Sequence, residues 1–276
     1  MRLIFNKIFL EHDTGDHPEN KDRLRNFFSL QDIEVPNGEK YLKLAHTEEH
    51  IKYVKKMSSL GLPLDLDTST CTKSYEIACY AVGATIMASN IGGFAIVRPP
   101  GHHATHNKSM GFCLFNNIAI AVKYLVNKGL KVFIIDFDIH HGNGTQDIIL
   151  GDNNIMYFST HQSPAYPGSG LESKANCINV PLMYGTTDKD YIKVLEDKLV
   201  PSLTKFNPDI VALSAGFDAY IKDFNYMNPG LGFKLTTKSY EKIKEIIKPY
   251  KTFGALEGGY NPDSIKEGID VFTGGF

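Results

Sequence analysis

The chain has 276 residues, of which 42% are hydrophobic and 22% charged. That composition excludes a disordered, collagen-like or coiled-coil chain, and the length suits one large domain that folds without disulfide or metal staples. With 29 basic against 31 acidic residues the formal charge is −2, so there is no overall basic footprint for nucleic acid.

The first ten residues are apolar but broken by Asn6 and Lys7, too short for a signal peptide and without a small-residue cleavage site. No run of about 18 apolar residues occurs, so no membrane span is expected and the cytoplasm is the expected location. Cys71, Cys79, Cys113 and Cys177 show no C-x-x-C spacing and read as reduced thiols. Residues 74–90, small and apolar, read as a closely packed helix. Residues 93–97 form the first continuous β-rich run. A helix over 116–128 follows, with Ile118, Ala121, Val122 and Leu125 on one face and Gly129 as its C-terminal glycine. Strand runs are then expected at 131–135, 155–158, 178–180, 210–214 and 252–256. Amphipathic helices are expected at 188–206 and 237–248, the latter capped by Thr237. The strand runs are continuous rather than alternating, as in strands buried on both faces. Alternating strands and helices predict an open, mostly parallel α/β sheet flanked by helices, a single domain over 1–276.

Ligands of such sheets bind beyond the carboxyl ends of the strands. Five runs here end in polar chemistry: Arg98-Pro-Pro-Gly-His-His103, Asp136-Phe-Asp-Ile-His-His-Gly-Asn-Gly144, Ser159-Thr-His161, Ala215-Gly-Phe-Asp218 and Glu257-Gly-Gly-Tyr260. Asp136, Asp138 and His140 alternate, so extended backbone would turn them to one face. A carboxylate and an imidazole two residues apart suit zinc or another borderline divalent ion, with Asp218 as the natural third ligand. His102 and His103 are open to three roles: ligands, general bases or core residues. If the other three residues hold the metal, the pair is free for proton transfer. Tyr260 offers a phenol that can donate to a developing oxyanion. Neither a G-x-x-x-x-G-K-[ST] loop nor a G-x-S-x-G elbow is present.

These motifs, in this order over nearly the whole chain, closely resemble the zinc-dependent histone deacetylase superfamily, with its prokaryotic amidohydrolases and acetylpolyamine deacetylases. Arg98-Pro-Pro-Gly and Asn143 look more like the class II and prokaryotic branch. The resemblance implies an arginase/deacetylase-like fold and a deacetylase that releases acetate and a free amine. Asp138, His140 and Asp218 match the metal ligands, for Zn2+ or alternatively Fe2+. His102 and His103 match the catalytic pair, Asp136 and Asn143 the groups behind them, and Tyr260 the carbonyl-polarising tyrosine. Gly111, Phe112 and Tyr166 match the substrate tunnel. Asp136, Asp138, His140, Ser159 and Thr160 match a structural K+ site, partly through backbone carbonyls.

The chain departs from the family pattern over 219–235, which is longer and lacks the common Asp-Pro, and over 56–67, where the substrate-gripping aspartate has no obvious counterpart. The segment Glu11–Glu19 holds four acids and no Lys or Arg, which points to a cationic substrate. An acetyl-lysine-type amine is the expected partner, with acetylpolyamine as the alternative and Asp223 as a conceivable gate. A non-catalytic acyl-ligand binder is a rival, as is a two-metal hydrolase, although Gly142 stands where that chemistry wants a further Asp.

Overall fold

The computed structural model describes residues 1–275. Seven strands form one sheet in the order β1-β2-β7-β6-β3-β4-β5, and every pairing is parallel. They are β1 (Arg2–Ile4), β2 (Gly93–Ala95), β3 (Val132–Asp136), β4 (Ile155–Gln162), β5 (Cys177–Leu182), β6 (Ile210–Ala215) and β7 (Lys251–Leu256). All residues of β3 and β6 are buried, as their continuous apolar runs require. The six expected runs are all strands. The seventh, β1, comes from the apolar N-terminus, whose three residues gave too short a run to read.

The helices are α1 (Glu48–Ser59), α2 (Ser74–Ile91), α3 (Asn117–Val126), α4 (Asn143–Ile149), α5 (Asp188–Val194), α6 (Val200–Phe206), α7 (Thr237–Ile247) and α8 (Pro262–Thr273). α2 is buried nearly all round, and its alanines allow close packing. α5 and α6 make one helical run joined by a π-turn at Leu195–Leu199. Pro201, lacking an N–H, gives the reason for the break in the α ladder. The cap of α7 is Thr236, whose hydroxyl accepts from the Lys238 N–H, rather than Thr237. The four cysteines are free thiols. Among the described residues no helix is long and apolar enough to cross a membrane.

The sheet order reverses around β6 and β3, so the ends of β3, β6 and β7 meet beside one crevice. Asp136 pairs in register with Ser214 on one side and Ser159 on the other. The motif residues follow these ends directly.

Candidate active site

Asp138 and His140 lie just past β3, and Asp218 just past β6. One ligand atom from each comes within 4.8 Å of the others. Backbone amides aim the carboxylates. Asp138 Oδ1 accepts from the His140 N–H at 2.9 Å, its Oδ2 from Gly258 N–H at 2.7 Å, and Asp218 Oδ1 from Ile139 N–H at 2.9 Å. Two glycines permit this approach. A Cβ at Gly216 would lie 2.1 Å from Asp138 Oδ2, and one at Gly258 2.5 Å from Asp218 Oδ2.

The cluster is a carboxylate-rich cradle that fits a divalent cation. Asp218 Oδ2 is buried without a hydrogen-bond partner, although His140 Nδ1 stands 3.2 Å away. Burial and the Asp138 charge push Asp218 up to about 6. Burial opposes charge on His140, yet Asp138 and Asp218 raise it to about 9. Both shifts have one physical reading: the site is short of positive charge, which a divalent cation held there would supply. Gly142 offers no second set. A side chain there would meet Asp136 Oδ2 at 2.3 Å and the Tyr157 hydroxyl at 2.5 Å. Among the described residues, no other group of three His, Cys, Asp or Glu side chains converges in this way.

The two adjacent histidines have opposite surroundings. His102 Nδ1–H donates to Asp136 Oδ2 at 3.2 Å, and its Nε2 lies 3.8 Å from Asp138 Oδ1. Burial works against its charge, but Asp138 and Asp136 lift it to about 10. Asp136 also accepts from the Tyr157 hydroxyl at 2.9 Å. Burial, with His102 and His140 alongside, holds His103 well below the ordinary imidazole value. Its Nδ1 is 2.7 Å from Asn143 Oδ1. Because Asn143 presents an acceptor there, the neutral ring carries its proton on Nδ1 and leaves Nε2 free.

Above the cradle opens a cavity of about 170 Å³, walled by His102, His103, Gly111, Phe112, Tyr166 and Tyr260. Phe112 has a φ of +69°, uncommon for a side-chain-bearing residue, and its ring meets that of Tyr260 edge-on at 6.1 Å. Tyr166 meets His103 edge-on at 5.1 Å. Burial pushes the Tyr260 phenol well above its usual range.

Ser159 and Thr160 stand on β4 beside Asp136. The Ser159 hydroxyl is bonded to His161 Nδ1 and that of Thr160 to the Tyr191 hydroxyl.

Several neighbours escaped the sequence reading. Arg98 and Arg23 both pair with buried Glu19. Glu257 accepts from the Gly101 and His102 amides. Asp67, Met227 and Asn228 line the mouth of the cavity. Arg98, Glu257 and Glu19 stand within segments that the sequence singles out, but nothing local names their partners, which long-range folding supplies.

Two expectations are corrected. Asp223 does not gate the cavity: it is 5% exposed and accepts from the Tyr260 and Asn261 amides. Nor is the Glu11–Glu19 segment a freely acidic rim. Glu19 is consumed by two arginines and Glu11 pairs with Lys73, leaving Asp13 and Asp16 exposed.

Comparison with known proteins follows the same lines. The model of the histone deacetylase domain matches residues 17–276. A probable deacetylase from Archaeoglobus fulgidus is 31% identical, over 94% of this chain and 81% of its own length. An uncharacterized protein from Synechocystis sp. is 35% identical, over 97% of this chain and 96% of its own. The crystal structure of the HDA15 HD domain superposes with a TM-score of 0.90 at 32% identity, covering 99% of this chain and 90% of that one. By these matches the chain belongs to the histone deacetylase family and is a deacetylase-type hydrolase.

Proposed function

We propose that residues 1–276 form one catalytic domain that removes an acetyl group from a lysine-type amine, with Asp138, His140 and Asp218 holding a zinc-like ion. The observation that carries this reading is the opposed pair of histidines beside an electron-rich cradle, under a cavity whose far wall carries the Tyr260 phenol.

A divalent ion bound in the cradle supplies Lewis acidity toward the acetyl carbonyl and lowers the pKa of water. His103, with Nδ1–H committed to Asn143, takes the proton of the attacking water at Nε2. It then returns that proton to the departing amine nitrogen. A neutral Asn143 keeps His103 less basic than a carboxylate partner would. His102 keeps its own proton on the Asp136 side and contributes positive charge next to the reacting carbon. Tyr260 stays protonated at neutral pH and donates its O–H to the oxygen that becomes an oxyanion. Gly111, Phe112 and Tyr166 hold the aliphatic stem and exclude water. Asp136, Asp138, His140, Ser159 and Thr160 are assigned to K+ beneath this floor.

A cationic substrate is supported by the mouth. Asp67 sits there, and burial together with neighbouring Asp65 raises its pKa, as expected for two carboxylates that lack a counter-ion. An acetylpolyamine is the second reading, because Asp67 also suits a distal ammonium. The test is acetate release by the metal-loaded protein from acetyl-lysine peptides, acetylpolyamines and longer acyl-lysines. Fastest turnover is expected on acetyl-lysine peptides. No release from any acetylated amine would overturn the reading in favour of a binder.

A further inference from the structure

The turn that carries Tyr260 is held from two sides by groups of opposite charge. On one side, Arg23 Nε–H donates to the Gly259 carbonyl at 2.5 Å and an Nη2–H to the Glu257 carbonyl at 2.6 Å. The same guanidinium lies 5.0 Å from the centre of the Tyr260 ring. On the other side, Asp223 Oδ1 accepts from the Tyr260 N–H at 2.8 Å and the Asn261 N–H at 3.0 Å. A cation thus takes the carbonyls of this turn, and an anion takes its amides. The turn needs such restraint, because Gly259 sits at φ +113° and glycine by itself defines no single conformation.

Asp223 itself does not line the cavity, but it anchors the segment that does. It ends the short 3-10 turn Ile221–Asp223, and its carbonyl accepts from the Tyr226 N–H at 2.7 Å. That bond opens the excursion carrying Met227 and Asn228 to the cavity. Asn261 locks the junction in return, donating from Nδ2 to the Lys222 carbonyl at 2.9 Å. The other carboxylate oxygen of Asp223 is buried and faces Ser264, while its two backbone contacts both go to the Tyr260 turn.

We infer that Asp223 is a positioning residue for Tyr260, fixing the phenol's aim and tying it to the segment that carries Met227 and Asn228. This rests on the reading of Tyr260 as oxyanion donor. Asp223→Ala is expected to lower kcat ~10-fold or more while KM changes less than threefold, with bound metal retained. Asp223→Asn keeps an acceptor oxygen for both amides and is expected to recover most of the lost kcat. The deciding measurement is the double-mutant cycle with Tyr260→Phe. If Asp223 acts through the phenol, Asp223→Ala in the Tyr260→Phe background costs at most about twofold more. Repetition of the full loss in that background, or wild-type kcat in Asp223→Ala, overturns the inference. Asp223→Ser, too short to reach both amides, serves in the cycle if the alanine variant does not fold. An unchanged kcat in Tyr260→Phe alone would instead sink the oxyanion reading, so the two failures are distinguishable.

Discussion

The floor and the mouth of the cavity are built on different principles. The floor is made of strand ends. Asp138, Asp218 and His102 are buried and His140 nearly so; backbone amides aim the two aspartates, and glycines that admit no side chain pack against Asp138, Asp218 and His102. The mouth is made of loops. Asp67, Tyr166 and the adjacent pair Met227 and Asn228 come from three separate segments, and Tyr166 is 40% exposed. Preorganised charge therefore lies at the bottom of the cavity, where the low dielectric strengthens it. Selection lies at the top, where water weakens each contact. Chemistry should be intolerant of change in the floor, and substrate choice should drift with changes in the mouth.

The sharpest break of that contrast is at the floor. Asp218→Ala is expected to lose the metal and with it all turnover. Elemental analysis showing one ion per chain in this variant would remove Asp218 from the ligand set. His103→Ala comes next, with an expected loss of ~10²–10⁴ in kcat, the usual range for a general acid–base group. Hydroxamate binding should persist in that variant; activity surviving there while lost in His102→Ala would reverse the two assignments. Tyr260→Phe should cost ~10²–10³ in kcat with metal content unchanged.

The scaffold histidines provide a contrast of sign. Burial lowers His12 to about 4 and His46 to about 3, although both lie as deep as His102. His102 differs in facing two carboxylates, whereas His46 faces none and the one beside His12, Glu19 at 3.6 Å, is already neutralised by Arg98 and Arg23. For His12 and His46 the folded pKa lies below the unfolded value, so the unfolded chain binds more protons in acid. Their contribution is complete above pH ~6.5 and fades as pH falls toward about 4, by roughly 2 kcal/mol per histidine at pH 5. His102 and His140, raised by their carboxylates, change stability in the opposite sense, so the test is a difference: across pH 7.5 to 5 the stability of His46→Gln should fall less than that of the wild type. Equal pH dependence of unfolding in the two proteins would contradict the assignment of a neutral buried ring to His46.

The smallest effect is expected at the mouth. Asp67→Asn should raise KM a few-fold for a cationic acetylamide at low salt and leave a neutral one unchanged, since exposed charge contacts contribute ~0.2–1 kcal/mol. The difference should vanish at high ionic strength. A large kcat loss in this variant would move Asp67 from the mouth into the chemistry.

The contrast between floor and mouth is also the contrast between what the sequence determines and what only folding decides. Continuous apolar runs such as Val132–Asp136 and Ile210–Ala215 mark buried parallel strands by themselves, and the sheet rule locates the site at their ends. The floor residues follow those runs within a few positions, so local spacing is enough to nominate Asp138, His140 and Asp218. Loops obey no such period. Asp67 reaches the cavity from the far end of a segment with no repeat, and Asp223 turns away from the cavity toward an amide 37 residues along the chain. Glu19 looks like free surface charge in the sequence, yet it lies buried between Arg23 and Arg98. A side chain's partners across such distances depend on how the chain packs, so the charge state of these acids and the shape of the mouth belong to the tertiary structure alone.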